Sequence, residues 1–211
     1  MKKIIVLLLC VGGWGFVNAQ SLQECKSAYE SNPMALKANK DYIQALRKYS
    51  PSDKAELKKV SDSYAMMTVF YGLMSGQSFA DEMEFSDEYK NVDVNVAALC
   101  KMKLPLSKYR KDQVKYLTAK QKNDVGKMIK YAHRLALYEL PENNMCDPVI
   151  MGHIFRITTE AGTLEETKSY LARLKKISEK VKSPRMLMQI NSALEDGEGY
   201  VMLKEYESNE K

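Results

Sequence analysis

The sequence predicts an all-α protein of antiparallel helical hairpins, closed by one short β-hairpin over residues 186–207. Helix-start signals recur along the chain, each with a Ser, Thr, Asn or Asp side chain that can accept hydrogen bonds from the free amides of a first turn. Apolar residues follow at steps of three and four, the spacing of one helix face. The connectors are short, which favours antiparallel neighbours. We therefore expect a single helical domain over residues 20–211.

The first nineteen residues have the three parts of a cleavable secretory signal peptide. Lys2 and Lys3 supply a positively charged start, residues 4–9 form an apolar run, and Ala19 ends a cleavage site of the expected kind. Cleavage after Ala19 predicts an exported protein, located in the periplasm or outside the cell.

Two other interpretations of this segment are open. A membrane anchor needs roughly 20 apolar residues to span a bilayer, whereas this stretch is shorter and is interrupted by Gly12, Gly13 and Gly15. A lipoprotein would be acylated at Cys10, but Leu9 stands directly before it, where a small residue is expected. Signal cleavage is favoured over both, and we expect no transmembrane segment in the processed chain.

Six helix starts are marked by side-chain chemistry. Three are capping boxes, in which the first and fourth residues bond to each other's backbone amides. Three others place proline at the first helical position, where its missing N–H costs nothing. The capping boxes begin at Ser21, Thr118 and Thr163, and the proline starts are Asn32-Pro33, Ser50-Pro51 and Asp147-Pro148.

Apolar stripes follow these starts. The segment after Asp147 carries apolar residues on most sides, so we expect it to be the most buried helix, with Gly162 placed to end it. The other stripes are Leu57, Val60, Tyr64, Met67, Tyr71 and Met74; Val125, Met128, Ile129, Ala132, Leu135 and Ala136; and Leu171, Leu174, Ile177 and Val181.

Two stretches lack this pattern. Residues 79–92 are acidic and weakly periodic, so we expect a loop before a short helix near residues 94–101. Residues 200–206 are rich in strand formers and follow the turn-like residues 196–199, which predicts a β-hairpin with residues 186–192. The alternative is that the same residues extend a helix.

Charge excludes one class of partner. The chain has 32 Lys and Arg against 27 Asp and Glu, a net charge of +5 that falls to +3 when Lys2 and Lys3 leave with the signal. Acids and bases are interspersed, so we expect no binding of nucleic acid. The basic clusters at residues 101–111 and 173–182 are interpreted as solvated helix faces.

The processed chain has three cysteines, Cys25, Cys100 and Cys146. An exported protein tends to pair its thiols, and an odd number allows one intramolecular disulfide with one thiol left over. Cys100 with Cys146 is the candidate pair, because both lie near prolines at predicted helix ends. The sequence has no CxxC, which argues against a thioredoxin-like oxidoreductase or a zinc ribbon.

Residues 127–182 resemble helical hairpins of the tetratricopeptide type, with Ala136 and Pro141 at the spacing that the motif uses for its small residue and its proline. The processed chain as a whole resembles an uncharacterised family of exported bacterial proteins. That resemblance rests on the order of four features: Tyr71-Gly72, Tyr131-Ala132, the Tyr170 to Leu174 pattern, and a tail with Tyr200-Val201 before Glu205-Tyr206. It implies a fold of helical hairpins and no established activity.

Motifs of catalysis are absent from the sequence. His133 and His153 lie inside predicted helices, without the further ligands that a zinc site such as HExxH requires. GxSxG, Walker A and GxGxxG motifs do not occur, so neither a serine hydrolase nor a nucleotide enzyme has local support. We therefore expect no cofactor, no metal and no enzymatic activity.

A hydrolase that uses paired carboxylates is the alternative function. Glycosidases need only two acidic groups, and an exported protein meets cell-wall and glycan material. The candidate residues are Asp81, Glu82, Glu84, Asp87 and Glu88. A solubilising surface segment is the simpler interpretation of this cluster.

Tyrosine and methionine are abundant, with 13 of each. A groove between hairpins that is lined by such side chains would suit a peptide or a partner helix. The sequence thus predicts a non-enzymatic binding or scaffold module for a protein or peptide of the cell envelope. The residues expected to contact that partner are Tyr64, Phe70, Tyr71, Tyr131 and Tyr138.

Overall fold

Every regular element of the described chain is an α-helix. The structure is a computed structural model that describes residues 21–75, 91–140 and 144–209. Nine helices and no strand fall in these ranges, so the predicted all-α class is confirmed. The helices are α1 (residues 21–31), α2 (Leu36–Tyr49), α3 (Lys54–Met74), α4 (Val92–Lys101), α5 (Lys108–Gln121), α6 (Val125–Ala136), α7 (Cys146–Ala161), α8 (Leu164–Ser178) and α9 (Pro184–Asn209).

The chain forms two compact units. The described part of the first unit consists of residues 21–67 and 99–107. The described part of the second unit consists of residues 68–75, 91–98, 108–140 and 144–209, which include helices α5 to α9. A single domain over residues 20–211 stays a prediction.

Polar and aromatic contacts join the helices of the first unit. The rings of Tyr29 on α1 and Tyr42 on α2 lie 5.5 Å apart, and the Tyr42 hydroxyl donates to Glu56 Oε1 on α3 at 3.4 Å. Arg47 near the end of α2 donates to the carbonyl oxygen of Met102 at 2.8 Å. These contacts connect α2 to α1, to α3 and to the backbone at Met102.

The two Thr-based capping boxes have different outcomes. At Thr163 the box is confirmed, because Thr163 Oγ1 accepts from the Glu166 amide at 3.3 Å and the Glu166 carboxylate accepts from the Thr163 amide at 2.8 Å. The predicted start at Thr118 is wrong, since Thr118 lies inside α5 and its hydroxyl donates to the Val114 carbonyl at 2.8 Å. Helix α6 is capped instead by Asp124, whose side chain accepts from a first-turn amide.

The proline signals lie close to helix starts, but not at the first helical position. Helices α2 and α3 begin at Leu36 and Lys54, each three residues after a proline and after an intervening turn. Pro148 is the third residue of α7. Proline therefore marks these starts to within three residues. Gly162 ends α7 as predicted, with an extended backbone.

Helix α5 has no counterpart among the predicted elements. Three polar residues, Arg110, Asp112 and Gln113, are buried on it. Four apolar residues of α5 are also buried, Val114, Tyr116, Leu117 and Ala119. Its buried face is therefore partly polar, and polar residues interrupt the apolar stripe by which amphipathic helices are recognised.

Helices α5 to α9 of the second unit pack against one another in chain order. Two further contacts join helices that are not consecutive, α6 with α8 and α7 with α9. The apolar core of these helices contains Met128, Ala132, Leu135, Ile150, Met151, Ile154, Phe155, Tyr170, Leu174, Met186 and Ile190, all nearly or fully buried. The α6–α8 contact positions the groove described below.

The predicted β-hairpin over residues 186–207 is wrong, because these residues form most of α9. Met186, Ile190 and Ala193 are buried at steps of four and three, which is a helical and not a strand period. Gly197 continues this face, and a Cβ atom there would meet Leu171 Cδ2 at 2.6 Å. Packing of α9 against α8 outweighs the turn preference of residues 196–199.

The three cysteines of the described chain are free thiols, so the predicted Cys100–Cys146 disulfide is not formed in this structure. Cys100 is exposed, whereas Cys25 and Cys146 are half-buried. The pairing of Cys100 with Cys146 under oxidising conditions stays a prediction.

Some predicted features lie outside the described residues. They are the signal peptide at residues 1–19, the acidic segment with Asp81, Glu82, Glu84, Asp87 and Glu88, and the proline at position 141. Within the described ranges, none of the helices combines the length and the apolar character needed to cross a lipid bilayer.

Candidate functional site

The aromatic residues predicted to contact a partner differ in exposure. Tyr64 and Tyr71 are buried, with 1% and 0% of their surface exposed. Phe70, Tyr131 and Tyr138 are half-buried. Tyr64 and Tyr71 therefore serve packing in this structure and do not present a face to a partner, which corrects their predicted role.

A surface groove lies between α6 and α8 of the second unit. It has a volume of about 290 Å³ and is widely open to solvent. Its lining combines three cationic side chains with one imidazole and two aliphatic side chains. The residues of this α6–α8 groove are His133, Arg134, Leu137, Arg173, Lys176 and Ile177. None of them is acidic, so the lining carries a positive charge.

Helical spacing brings these side chains together. His133 and Leu137 are four residues apart at the carboxyl end of α6, and Arg173 and Ile177 are four residues apart on α8, so each pair shares one helix face. Leu137 directly follows the last residue of α6 and is 58% exposed. Because α6 packs on α8, these faces form the two walls of the groove.

Arg134 is held in place by a carboxylate from α5. Its Nη2 atom lies 2.8 Å from Asp112 Oδ2, and the Tyr138 hydroxyl donates to the same oxygen at 3.2 Å. Asp112 is buried, and it also lies 3.9 Å from the Lys115 ammonium. The ion pair fixes the orientation of the Arg134 guanidinium and partly neutralises its charge.

Two of the predicted aromatic residues lie beside Arg134. A second depression of about 240 Å³ is lined by Arg134, Leu137 and Tyr138, so it shares two residues with the α6–α8 groove. The Arg134 guanidinium also lies 5.9 Å from the centre of the Tyr131 ring. Tyr131 and Tyr138 therefore lie beside Arg134 and do not line the groove itself.

Arg173 and Lys176 differ from Arg134 in having no carboxylate partner. Both are exposed on α8, and within the described ranges no acidic side chain lies within ion-pair distance of either. Both side chains are thus accessible to solvent. Two cations of the lining are thus available to a bound anion.

His133, which lines the groove, stacks on the buried ring of Tyr170, which does not line it. His133 is 7% exposed and its ring lies 5.2 Å from that of Tyr170, with an interplanar angle of 24°. Neither ring nitrogen of His133 nor the Tyr170 hydroxyl has a hydrogen-bond partner among the described residues. Burial, aided by the Arg173 charge, lowers the pKa of His133 to about 4, and burial raises the pKa of Tyr170. His133 is therefore neutral at physiological pH.

A separate groove of about 240 Å³ lies between α7 and α9. Its lining includes His153 and Arg156 from α7 with Ser192 and Asp196 from α9, so both signs of charge are present. Burial and the nearby Arg156 lower the pKa of His153. The mixed charges give this groove no preference for either sign of ligand.

The described residues contain no group of three His, Cys, Asp or Glu side chains that could hold a metal ion. The carboxylates proposed for a hydrolase lie outside these residues.

Comparison of the chain with protein-family models, with curated proteins and with solved structures gives no match in any of the three.

Sequence reasoning missed most of the groove. It identified His133 as a helical histidine, but it interpreted Arg173 and Lys176 as part of a solvated basic face. Arg134 and Leu137 gave no signal, because their role depends on the packing of α6 against α8. The i, i+4 placement of His133 with Leu137 was visible in the sequence, but the partner face on α8 was not.

Proposed function

We propose that this chain is an exported helical binding module that recognises a peptide or protein segment in the cell envelope, with the α6–α8 groove as its binding site. The module holds its partner without transforming it. The proposal of export is based on the signal-like residues 1–19. The proposal of recognition is based on the α6–α8 groove of the second unit.

The observation that carries the proposal is the combination of exposed aliphatic and unpaired cationic side chains in one groove. Leu137 is largely exposed at the end of α6, although leucine is usually buried. Arg173 and Lys176 stand opposite it without carboxylate partners among the described residues. Pockets that bind ligands combine apolar surface with a few charged or polar groups in this way.

The packing order of α5 to α9 supports the same proposal. In tetratricopeptide-like arrays each helix contacts the next two, and consecutive hairpins present a binding surface. Helix α6 contacts both α7 and α8, and α7 contacts both α8 and α9. We propose that α6 to α9 are hairpins of this type, in keeping with the resemblance of residues 127–182.

Panning of a random peptide library displayed on phage tests the proposal. The purified protein is immobilised, and the enriched peptides are resynthesised and assayed in solution. The expected result is a family of peptides that bind and compete with one another for one site. Enrichment no greater than on the bare support would contradict the proposed function.

A further inference from the structure

We infer that the occupant of the α6–α8 groove is an acidic peptide segment, in which a carboxylate lies next to an aliphatic side chain. This inference rests on the proposed binding function and names the chemistry of its ligand. Two features of the groove support it: the charge of its walls and the aliphatic side chains between them.

Charge complementarity sets the sign of the ligand. Arg134, Arg173 and Lys176 line the groove, and no acidic residue does. Asp112 already neutralises part of the Arg134 charge, whereas Arg173 and Lys176 have no such partner among the described residues. A carboxylate placed between these two side chains would form charge-assisted hydrogen bonds with both of them.

The aliphatic side chains of the groove favour a ligand that carries an apolar group. Leu137 and Ile177 contribute apolar surface to opposite walls, on α6 and α8. Burial of a leucine- or valine-sized side chain between them removes apolar surface of both molecules from water. A small inorganic anion would use the charges and leave this surface exposed, so a peptide with an aliphatic residue fits the lining better.

Nucleic acid is the competing anionic ligand, and the aliphatic lining disfavours it. Proteins that bind single strands use aromatic side chains on which the bases stack. The lining residues of the α6–α8 groove include no Phe, Tyr or Trp. An oligonucleotide probe therefore tests this alternative directly.

Fluorescence anisotropy of labelled peptides tests the inference. Three twelve-residue probes share a Gly-Ser frame with central leucines: the first carries glutamates between the leucines, the second carries glutamines, and the third carries lysines. A labelled twelve-residue oligothymidylate is the fourth probe. Titrations with the purified protein are made at about 0.15 M salt, where interactions between exposed charges are screened beyond roughly 8 Å.

Two double variants with the same change in net charge locate the site. Arg173→Glu/Lys176→Glu reverses the free cations of the groove. Lys111→Glu/Lys122→Glu reverses two exposed lysines outside its lining. Circular dichroism should show that both variants keep their helical content, because all four side chains are exposed.

The glutamate probe should bind at least about tenfold more tightly than the glutamine probe, as expected for a charge-paired ligand. Its affinity should fall at least about tenfold in Arg173→Glu/Lys176→Glu and less than about twofold in Lys111→Glu/Lys122→Glu. Equal binding of the glutamate and glutamine probes, tighter binding of the oligonucleotide, or equal losses in the two variants would overturn the inference. Library peptides that bind without Asp or Glu would overturn it as well and leave the proposed function standing.

Discussion

Arg110 on α5 forms a two-point ion pair with Asp147 in the first turn of α7. Arg110 Nη2 lies 2.8 Å from Asp147 Oδ2, and Nη1 bonds the other carboxylate oxygen. Gln113 joins them through a 2.8 Å bond between Arg110 Nη1 and Gln113 Oε1. All three side chains are buried, so the pair is a fixed polar connection between helices that are far apart in sequence.

Removal of one partner of this pair should destabilise the protein strongly. Arg110→Met leaves the Asp147 carboxylate buried without its cation, which typically costs about 3 kcal/mol. The double variant Arg110→Met/Asp147→Asn should lose less than the sum of the two single variants, with a coupling of at least about 1 kcal/mol. Urea unfolding followed by circular dichroism measures all three free energies of unfolding.

Arg156 and Glu160 provide the matched control for that cycle. They form an exposed pair at 3.9 Å on the surface of α7, where screening and side-chain entropy leave little net stabilisation. Glu160→Gln should not shift the urea midpoint measurably. Additive effects of Arg110→Met and Asp147→Asn would show that the ion pair does not couple the two helices.

The same buried pair explains why α5 could not be predicted from the sequence. Arg110, Asp112 and Gln113 occupy inward positions of α5 that apolar residues usually fill. Their partners, Asp147 and Arg134, lie on α7 and α6. A polar face that is satisfied by tertiary contacts has the pattern of a solvated face, so periodicity alone cannot separate the two.

The two threonine patterns predict opposite effects of the same substitution. Thr163→Ala removes a capping box, which should cost about 1 kcal/mol of unfolding free energy. Thr118→Ala lies inside α5, where alanine is the better helix former, so its effect should stay within about 0.5 kcal/mol. Urea denaturation compares the two variants. A loss at Thr118 as large as that at Thr163 would argue that a helix begins at Thr118 after all.

Two glycines of α9 should respond oppositely to added bulk. A side chain at Gly197 meets Leu171 at 2.6 Å and Thr159 at 3.3 Å, so Gly197→Val should destabilise the protein by about 1–3 kcal/mol through overpacking. No heavy atom lies within 4 Å of a Cβ at Gly199, so Gly199→Ala should stabilise it by up to about 1 kcal/mol. Thermal unfolding measures whether each substitution raises or lowers the stability of the protein. Destabilisation by Gly199→Ala would contradict the helical assignment of this segment.

The carboxyl-terminal helix also shows where local sequence preference fails. Residues 196–199 carry two glycines and residues 200–206 are rich in strand formers, which together indicate a hairpin. The decisive feature is the burial of Met186, Ile190, Ala193 and Gly197 along one helical face. That face exists only because α7 and α8 provide the surface on which it packs.

His133 should make stability depend on pH. Its pKa is about 4 in the folded protein and about 6.5 in an unfolded chain. Well above pH 6.5 the imidazole is neutral in the folded and in the unfolded chain, and its contribution to the free energy of unfolding is fully present. As the pH falls from 6.5 toward 4, the unfolded chain takes up the proton first, so stability is lost. Between pH 7 and pH 4.5 the loss should be on the order of 2 kcal/mol.

His133→Phe is the control for this titration. Phenylalanine can stack on Tyr170 but carries no proton in this range, and His153 titrates in both proteins. Urea unfolding at several pH values should therefore show a smaller acid-dependent loss in the variant than in the unchanged protein. Equal losses would mean that His133 is protonated normally in the folded state.

The candidate site was less predictable than the helices that carry it. The start of α8 at Thr163 depends on side chains within four residues, so it could be predicted, whereas the Asp124 cap of α6 was missed although it is equally local. The groove depends on which face of α6 meets which face of α8, and this choice is made by the whole set of contacts of α5 to α9. The burial of Tyr64 and Tyr71 was likewise not predictable, since periodicity gives the stripe but not the surface that covers it.

Photo-crosslinking with the glutamate probe tests most directly whether the α6–α8 groove holds an acidic peptide. Benzoylphenylalanine is placed either at position 137, where Leu137 lines this groove, or at position 192, where exposed Ser192 lines the α7–α9 groove. We expect a crosslinked product from position 137 that excess unlabelled probe abolishes, and none from position 192. A product from position 192 alone, or equal products from both positions, would contradict the account.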